Sequence, residues 1–173
     1  TTLFRSRWLF TTNHKDIGTL YLWFSFIMLF IGGAMAMVIR AELFQPGLQI
    51  VQPEFFNQMT TNHGLIMVFG VIMPAFVGLA NWMLPMQIGA PDMALPRLNN
   101  LSFWLLPMAF GILISTLFMP EGGPNFGWTF YAPLSTTYAP STVNFFIFSV
   151  HVMGVSSILG SIDRKSTRLN SSH

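Results

Sequence analysis

Four long runs without a charged side chain restrict this chain to a membrane-spanning fold. They lie between Asp16 and Arg40, Glu54 and Asp92, Arg97 and Glu121, and Glu121 and Asp163. Each run reaches the roughly 20 residues that a helix needs to cross the hydrocarbon core. Charged residues make up only 8% of the chain, against roughly a quarter in soluble domains. We therefore predict an all-α bundle with transmembrane helices near residues 17–39, 56–86, 101–119 and 142–162.

Basic residues in the short loops predict the orientation of this bundle. Arg5, Arg7 and Lys15 precede the first predicted helix, and Arg97 follows the second on the same side. The loops on the other face carry Arg40 alone. Because Lys and Arg resist translocation, the N-terminus is expected on the cytoplasmic side, or on the matrix side in a mitochondrion. The first apolar run is too long for a cleavable signal peptide. The excess of Lys and Arg over Asp and Glu is explained by this orientation and does not indicate a nucleic-acid partner.

His63 is the only ionisable side chain within residues 55–91. An unpaired ionisable group in lipid costs roughly 3 kcal/mol, so a binding partner is expected. The chain has no cysteine, and haem iron accepts an axial imidazole, beside which Gly64 and Gly70 would leave room for a flat macrocycle. The alternative is a histidine that simply hydrogen-bonds to a neighbouring helix. His151, in the fourth helix, could be a second ligand or another hydrogen-bonded core histidine.

The second predicted helix presents one continuous stripe. At 3.6 residues per turn its members share a broad face: His63, Met67, Gly70, Pro74 and Asn81. Asn81 lies about 27 Å along the helix from His63. Because proline removes a backbone donor, Pro74 should kink the helix in mid-membrane.

Polar residues gather at both predicted membrane surfaces. On the N-terminal side, Asp92 is accompanied by amides, an arrangement that suits the mouth of a water-filled proton path. The alternative is a loop Asp that caps the third helix or pairs with Arg97. On the other side, Arg40 either marks the interface or donates to a cofactor carbonyl. Glu42, Gln45 and Gly47 offer oxygen ligands for a calcium-like cation, and residues 120–140 are apolar enough to pack as a lid.

The composition changes abruptly after Gly160. Residues 163–173 read DRKSTRLNSSH, which resembles the translation of a common sequencing adapter. We therefore expect a membrane domain over residues 1–160 and an aberrant polar tail over residues 161–173, in which His173 is not a ligand. An ordinary polar C-terminus is the alternative.

Seven motifs together resemble cytochrome c oxidase subunit I of the haem-copper oxidase superfamily. They are WLFTTNHKDIGTLY at 8–21, IRAEL at 39–43, TNHG at 61–64, IGAPDM at 88–93, PRLNN at 96–100, SFWLLP at 102–107 and GVSSILG at 154–160. Residues 118–120 and 122–135 are more similar to the proteobacterial enzymes than to the animal mitochondrial ones. The resemblance implies an N-terminal fragment holding four transmembrane helices of a normally twelve-helix subunit.

The resemblance also implies a role for each matched residue. His63 would be an axial ligand of haem a, whose second histidine lies on a helix absent from this chain. Arg40 would hydrogen-bond the haem a formyl group, and Trp128 and Tyr131 would lie over the haem propionates. Glu42, Gln45 and Gly47 match a calcium or sodium site. The proton path would comprise Asp92 at its entrance, Asn81 and Asn99 as gating amides, and Tyr21, Ser156 and Ser157 along its wall.

The complete protein implied by the resemblance is a proton-pumping oxidase. It would take electrons from cytochrome c through subunit II, pass them from haem a to a haem a3 and copper B centre, and reduce oxygen to water. The haem a3 and copper B ligands are missing here, so this fragment alone is expected to be inactive. Subunits II and III and the lipid bilayer are the implied partners, in a bacterial inner membrane or, alternatively, a mitochondrial one.

Several alternatives and departures accompany this interpretation. A quinol oxidase of the same superfamily is the near alternative, and a haemless proton-conducting transporter bundle is the distant one. His14 and His151 match family positions that do not bind a redox metal. Asp163 stands where the family usually has a third gating asparagine, and its place at the suspected fusion point argues against an altered gate.

Overall fold

The computed structural model describes residues 7–170, and over that range the chain forms helices and no strand. Four helical spans in this range are long and apolar enough to cross a membrane. The first is α1, His14–Glu42, and the second joins α2, Pro53–Leu65, to α3, Met73–Ile88, through a π-helical segment, Ile66–Ile72. The third is α4, Pro96–Ser115, extended by a 3-10 turn over Thr116–Phe118, and the fourth is α5, Val143–Asn170.

These spans confirm the predicted all-α membrane bundle, and the chain is an integral membrane protein. Three predicted ranges differ from the observed helices by a few residues at each end. The fourth differs more, because α5 continues to Asn170 instead of ending near residue 162. Asp163, in the polar stretch that follows the predicted boundary, is fully buried. Arg5 and His173, both considered in the sequence analysis, lie outside the described residues.

Polar residues hold both ends of α1. Asn13 accepts a bond from the backbone N–H of Lys15 at 2.8 Å, which satisfies a donor that the first turn leaves free. Asp16 in the first turn and Arg40 in the last turn both interact favourably with the helix dipole. Arg7 lies 3.5 Å from the carboxylate of Asp16, and because Arg7 is exposed and Asp16 only half-buried, the pair has small energetic value. Charged residues thus lie in the first and last turns of a helix long enough to cross a membrane.

Two glycines allow α1 and α3 to approach closely. A Cβ on Gly18 would lie 2.8 Å from the carbonyl oxygen of Gly78, and a Cβ on Gly78 would lie 2.9 Å from that of Gly18. Any side chain there would have to displace backbone, which explains why small residues occupy this crossing. Trp82 covers the same contact, since its Nε1 donates to Thr19 Oγ1 at 3.1 Å.

Gly78→Ala should therefore destabilise the bundle, whereas Gly111→Ala should not. The methyl group at residue 78 overpacks two backbones, at a cost of about 1–3 kcal/mol. A Cβ on Gly111 meets nothing within 4 Å, so the alanine there gains helix propensity without a clash. Unfolding midpoints of the two variants in one detergent, followed by circular dichroism, give the comparison. Equal midpoints would mean that the α1–α3 crossing contributes nothing to stability.

The π-helical segment Ile66–Ile72 separates the two halves of the second span. It precedes Pro74, which has no N–H to continue an α-helical ladder. Ser25 of α1 donates its hydroxyl to the carbonyl of Val71 at 2.8 Å and so satisfies a backbone group in the irregular stretch. The sequence predicts a kink at Pro74, and the structure accommodates this proline through the wider π turn.

Aromatic rings and hydroxyls join α1, α4 and α5. The ring of Phe24 meets Phe103 and Phe110 edge to face, with centroids 6.4 and 5.5 Å apart. Ser149 of α5 donates to the carbonyl of Ala109 in α4 at 2.8 Å. These contacts pack α4 against both α1 and α5, and the polar residues Ser149, Ser156, Asp163 and Thr167 of α5 are buried in the bundle.

Candidate functional site

His63 lies on the third turn of α2, in the part of the bundle where α1 ends and α2 begins, which we call the His63 end. Its Nδ1 is 2.9 Å from the carbonyl oxygen of Gly32 in α1. A carbonyl can only accept, so Nδ1 carries the proton and Nε2 keeps its lone pair. This is the tautomer in which a histidine binds a metal through Nε2 while a carbonyl holds its other nitrogen.

Aromatic side chains occupy the glycine positions beside His63. A Cβ on Gly64 would lie 3.3 Å from Cδ1 of Trp128, and one on Gly70 would lie 3.0 Å from the ring of Phe110. The expectation that these two glycines leave open space for a macrocycle is therefore wrong. The glycines instead allow Trp128 and Phe110 to pack directly on the helix that carries His63.

The segment between α4 and α5 folds back over the His63 end. The N–H of Gly127 donates to Thr61 Oγ1 of α2 at 3.0 Å. Glu121 accepts the N–H of Ser141 at 2.6 Å, and hydrogen bonds from the side chain and backbone of Ser141 hold the pKa of Glu121 below its ordinary value. These contacts agree with the predicted packing of residues 120–140 as a lid.

The other residues predicted around a cofactor are exposed at this end. Arg40 lies in the last turn of α1, and Trp128 and Tyr131 are 51% and 73% exposed on the lid. Because these residues are exposed, the guanidinium, indole and phenol groups are free to contact a bound group or another polypeptide.

Glu42 closes the loop that follows α1. Its carboxylate accepts three backbone N–H groups, from Gln49 at 2.8 Å, Ile50 at 2.7 Å and Val51 at 3.0 Å. Gln45 and Gly47 are exposed in the same loop, and Gly47 has a φ of +96°, a conformation that favours glycine. The carboxylate thus organises the loop that carries the other two candidate cation ligands.

Two predicted asparagines meet at the opposite end, where α1 begins and α3 ends, which we call the Asp92 end. Asn81 Nδ2 donates to Asn99 Oδ1 at 3.2 Å, and both residues are fully buried. Asn81 Oδ1 and Asn99 Nδ2 have no protein partner. Buried amides usually have partners, so these two atoms mark a place for ordered water.

Asp92 is linked to this pair through His14. Asp92 Oδ1 accepts the backbone N–H groups of His14 at 3.3 Å and Met93 at 2.7 Å. His14 Nδ1 lies 2.8 Å from the carbonyl oxygen of Asn81. Neither predicted alternative for Asp92 is observed, because α4 has Leu95 at its N-cap and no ion pair joins Asp92 to Arg97 in the described part of the chain.

A cavity of about 240 Å³ lies between the four spans. Its walls are mainly apolar, and they include the three residues predicted to line a proton path, Tyr21, Ser156 and Ser157. Tyr21 Oη is 2.8 Å from Ser102 Oγ, and Ser156 Oγ donates to the carbonyl of Ser102. A water needs only roughly 10–15 Å³ of such space, so the cavity can hold several.

The polar network also contains residues that the sequence analysis did not select. Ser102 is fully buried and donates to the carbonyl of Asn99 at 2.7 Å, so it connects the asparagine pair to Tyr21. Asp163 accepts the N–H of Leu95 at 2.7 Å through Oδ1, while its Oδ2 has no partner. Tyr21 and Ser102 are 81 residues apart, so no local pattern signals their contact.

His151 does not join His63. It is exposed on α5, and its Nδ1 bonds the carbonyl of Ile147 in its own helix at 2.8 Å. Within residues 7–170, no group of three His, Cys, Asp or Glu side chains is arranged to hold a metal ion.

Comparison with known proteins identifies relatives along almost the whole chain. Residues 16–172 match the family described as cytochrome c and quinol oxidase polypeptide I. The chain is 45% identical over 159 residues to probable cytochrome c oxidase subunit 1-alpha of Streptomyces avermitilis, covering 91% of this chain and 28% of the relative. It is 40% identical over 199 residues to cytochrome c oxidase subunit 1 of Cereibacter sphaeroides, covering 96% and 35%. The chain thus spans about a third of the length of these relatives.

Proposed function

The chain belongs to the cytochrome c and quinol oxidase polypeptide I family, and from this premise we propose that it supplies a haem a site and part of a proton path to a respiratory oxidase. The observation that carries the proposal is the His63 ring, whose Nδ1 is held by Gly32 and whose Nε2 is left basic. The family implies haem and copper cofactors. For the complete subunit we propose electron transfer from cytochrome c, through haem a, to haem a3 and copper B, with reduction of oxygen to water and proton pumping.

His63 is the proposed axial ligand of the haem a iron. When bound, a haem supplies reversible one-electron transfer. The carbonyl of Gly32 holds the Nδ1 proton of His63 and fixes the ring orientation, which leaves Nε2 as the nitrogen that can bind the iron. Because His63 lies within an apolar span, lipid and the rest of the subunit would limit the access of water to this nitrogen.

Arg40, Trp128 and Tyr131 are the proposed polar contacts of the haem edge. A guanidinium offers five donors in a rigid fork, which suits a formyl oxygen. Trp128 packs on Gly64, the residue after His63, and its indole can therefore cover the edge of a group bound at His63. With Tyr131 it offers N–H and O–H donors to carboxylates.

The proposed proton path runs from Asp92 past Asn81 and Asn99 to the cavity lined by Tyr21, Ser156 and Ser157. The unpartnered atoms of the two asparagines favour water between them, and the hydroxyl contacts through Ser102 continue the polar line. Amides and hydroxyls orient water without holding a proton, whereas Asp92 can accept and release one.

The loop after α1 is the proposed site of a calcium or sodium ion, held by Glu42, Gln45 and a backbone oxygen of Gly47. A carboxylate has about four acceptor positions, and three of those on Glu42 receive backbone N–H groups. The remaining position, with neutral oxygens from the loop, gives the oxygen-rich set that hard cations prefer.

Glu42→Gln should lower the unfolding midpoint and abolish any response to calcium. An amide nitrogen cannot accept an N–H, so one backbone donor in the loop loses its partner. Thermal unfolding with calcium and with chelator gives the measurement, and Glu54→Gln, also at the His63 end, is the matched control. If calcium does not change the unfolding midpoint of the parent protein while Glu42→Gln still lowers it, Glu42 only stabilises the loop and the cation proposal is wrong.

The proposed setting is a bacterial inner membrane, with a mitochondrial inner membrane as the alternative, and the N-terminus on the cytoplasmic or matrix side. Oxidase subunits II and III are the proposed partners, with cytochrome c as donor through subunit II. Arg7, Lys15 and Arg97 support this orientation, because they cluster at the Asp92 end. A quinol donor is retained as the second candidate because the matched family includes quinol oxidases.

We propose that residues 1–160 form the family domain and that residues 161–173 are encoded by a sequencing adapter. The string DRKSTRLNSSH supports this division, although α5 and the family match continue past it, to Asn170 and residue 172. Genomic sequence beyond the codon for Ile162 gives the test. A frame that continues into further histidine-bearing spans is expected, and genomic codons for residues 163–173 would refute the division.

The reduced-minus-oxidised absorption spectrum of the intact oxidase tests the function as a whole. Haem a gives a far-red α band, so its presence separates an oxidase from a haemless transporter that uses the same helices. A purified complex without any haem band would overturn the proposed function.

A further inference from the structure

Thr61 lies two residues before His63, and its hydroxyl makes two hydrogen bonds. The residue is 1% exposed. Its Oγ1 donates to the carbonyl of Asn57 at 2.8 Å and accepts the N–H of Gly127 at 3.0 Å. A hydroxyl has one proton to donate, and that proton is committed within α2. One of the two lone pairs on the oxygen is thereby directed at the lid.

Gly127 is the point at which the lid turns. Its φ is +82°, and the next turn closes through the N–H of Phe130, which donates to the carbonyl of Gly127 at 3.3 Å. Phe130 itself has a φ of +61°, uncommon for a residue with a side chain. Trp128 follows Gly127 directly, so the hydrogen bond at the Gly127 N–H fixes the position of the backbone from which the Trp128 side chain extends.

The indole of Trp128 packs on the same face of α2 that hydrogen-bonds to Gly127. Thr61 and Gly64 are three residues apart, which makes them neighbours on one helix face. Cδ1 of Trp128 lies 3.3 Å from the position of a Cβ on Gly64. The helical turn that carries His63 therefore contacts the lid twice. Thr61 binds the backbone of Gly127, and Gly64 packs against the indole of Trp128.

We infer that Thr61 is a positioning residue that fixes Trp128 against the His63 turn and thereby sets the polar surroundings of the haem edge. The inference rests on the proposed function, in which His63 binds haem a and Trp128 covers its edge. Thr61 does not touch the haem in this account. It acts through the backbone of Gly127.

Thr61→Val tests this role because it keeps the shape of the side chain and removes both hydrogen bonds. Thr61→Ser retains the hydroxyl. Thr60→Val is the matched control, since exposed Thr60 makes the same bond within its helix, to the carbonyl of Phe56 at 3.0 Å, and among the described residues its hydroxyl makes no hydrogen bond to the lid. All three substitutions are made in the intact oxidase, purified with its haem.

Two readings are taken from each variant. Hydrogen exchange of the peptide covering residues 125–131 is expected to quicken by about fivefold in Thr61→Val, the effect of one lost hydrogen bond. The haem a midpoint potential and α band are expected to shift in Thr61→Val and to match the parent in Thr61→Ser and Thr60→Val. If Thr61→Val does not fold, Thr61→Ala replaces it.

The outcomes separate this inference from the proposed function. An unchanged potential and band in Thr61→Val, with quickened exchange, would overturn the positioning role and leave the haem assignment intact. If Thr61→Val and Thr61→Ala both fail to fold while Thr61→Ser folds, the hydroxyl is needed for folding and the positioning role is overturned. Absence of any haem band in the parent would overturn both proposals.

Discussion

His63→Ala is expected to abolish the haem a band of the intact oxidase. The imidazole is the group through which this chain would hold the iron, and alanine offers no lone pair in its place. The proposed contacts of the haem edge, from Arg40, Trp128 and Tyr131, would orient the macrocycle without ligating the metal. A reduced-minus-oxidised spectrum of the purified complex should therefore lose essentially all of its haem a signal, together with oxygen consumption.

His151→Ala provides the matched control for this experiment. It also removes an imidazole from a membrane helix, but one that is exposed and bonded within its own turn. Its spectrum should equal that of the parent. If the haem a band survives in His63→Ala, His63 is not the iron ligand. The same conclusion follows if His63→Ala and His151→Ala lose the band to the same extent.

Asp92→Asn is expected to slow proton uptake by roughly 100-fold, the contribution typical of a positioned acid or base. Asn retains an oxygen for the N–H groups of His14 and Met93, so the local fold should persist. What it loses is the ability to hold a proton. Uptake during turnover, followed with a pH-indicating dye in reconstituted vesicles, should fall while the haem spectrum stays unchanged.

Asp16→Asn tests whether this effect is specific to Asp92. Asp16 is a second carboxylate at the same end of the bundle, and its partner is the exposed Arg7. Proton uptake in Asp16→Asn should remain close to that of the parent. If Asp92→Asn lost its haem spectrum along with its uptake, the two ends of the bundle would not have the separate roles proposed here.

The sequence could predict the spans and the inward stripe because both follow from local spacing. Charge-free runs determine where helices can cross lipid, and the 3.6 period places His63 and Asn81 on an interior face. Gly70, Pro74 and Asn81 are buried in the structure, whereas His63 and Met67 on the same predicted face are half-buried.

Contacts between distant segments could not be predicted in the same way. The carbonyl of Gly32 that orients His63 belongs to another helix, and so does Ser102 beside Tyr21. The misjudged space at Gly70 has the same origin, because a glycine indicates close approach without identifying the side chain that fills it. Motifs matched to a family supply roles for single residues, but the partners of those residues depend on how the spans pack.

The π-helical segment has a consequence for how much length variation the second span can tolerate. Each residue added to or removed from a helix turns everything beyond it by about 100°. Removing one residue within Ile66–Ile72 would therefore turn Asn81 relative to His63 by about 100° and move it away from Asn99. The orientation of Asn81 relative to His63 about the helix axis thus depends on the number of residues in the π-helical segment.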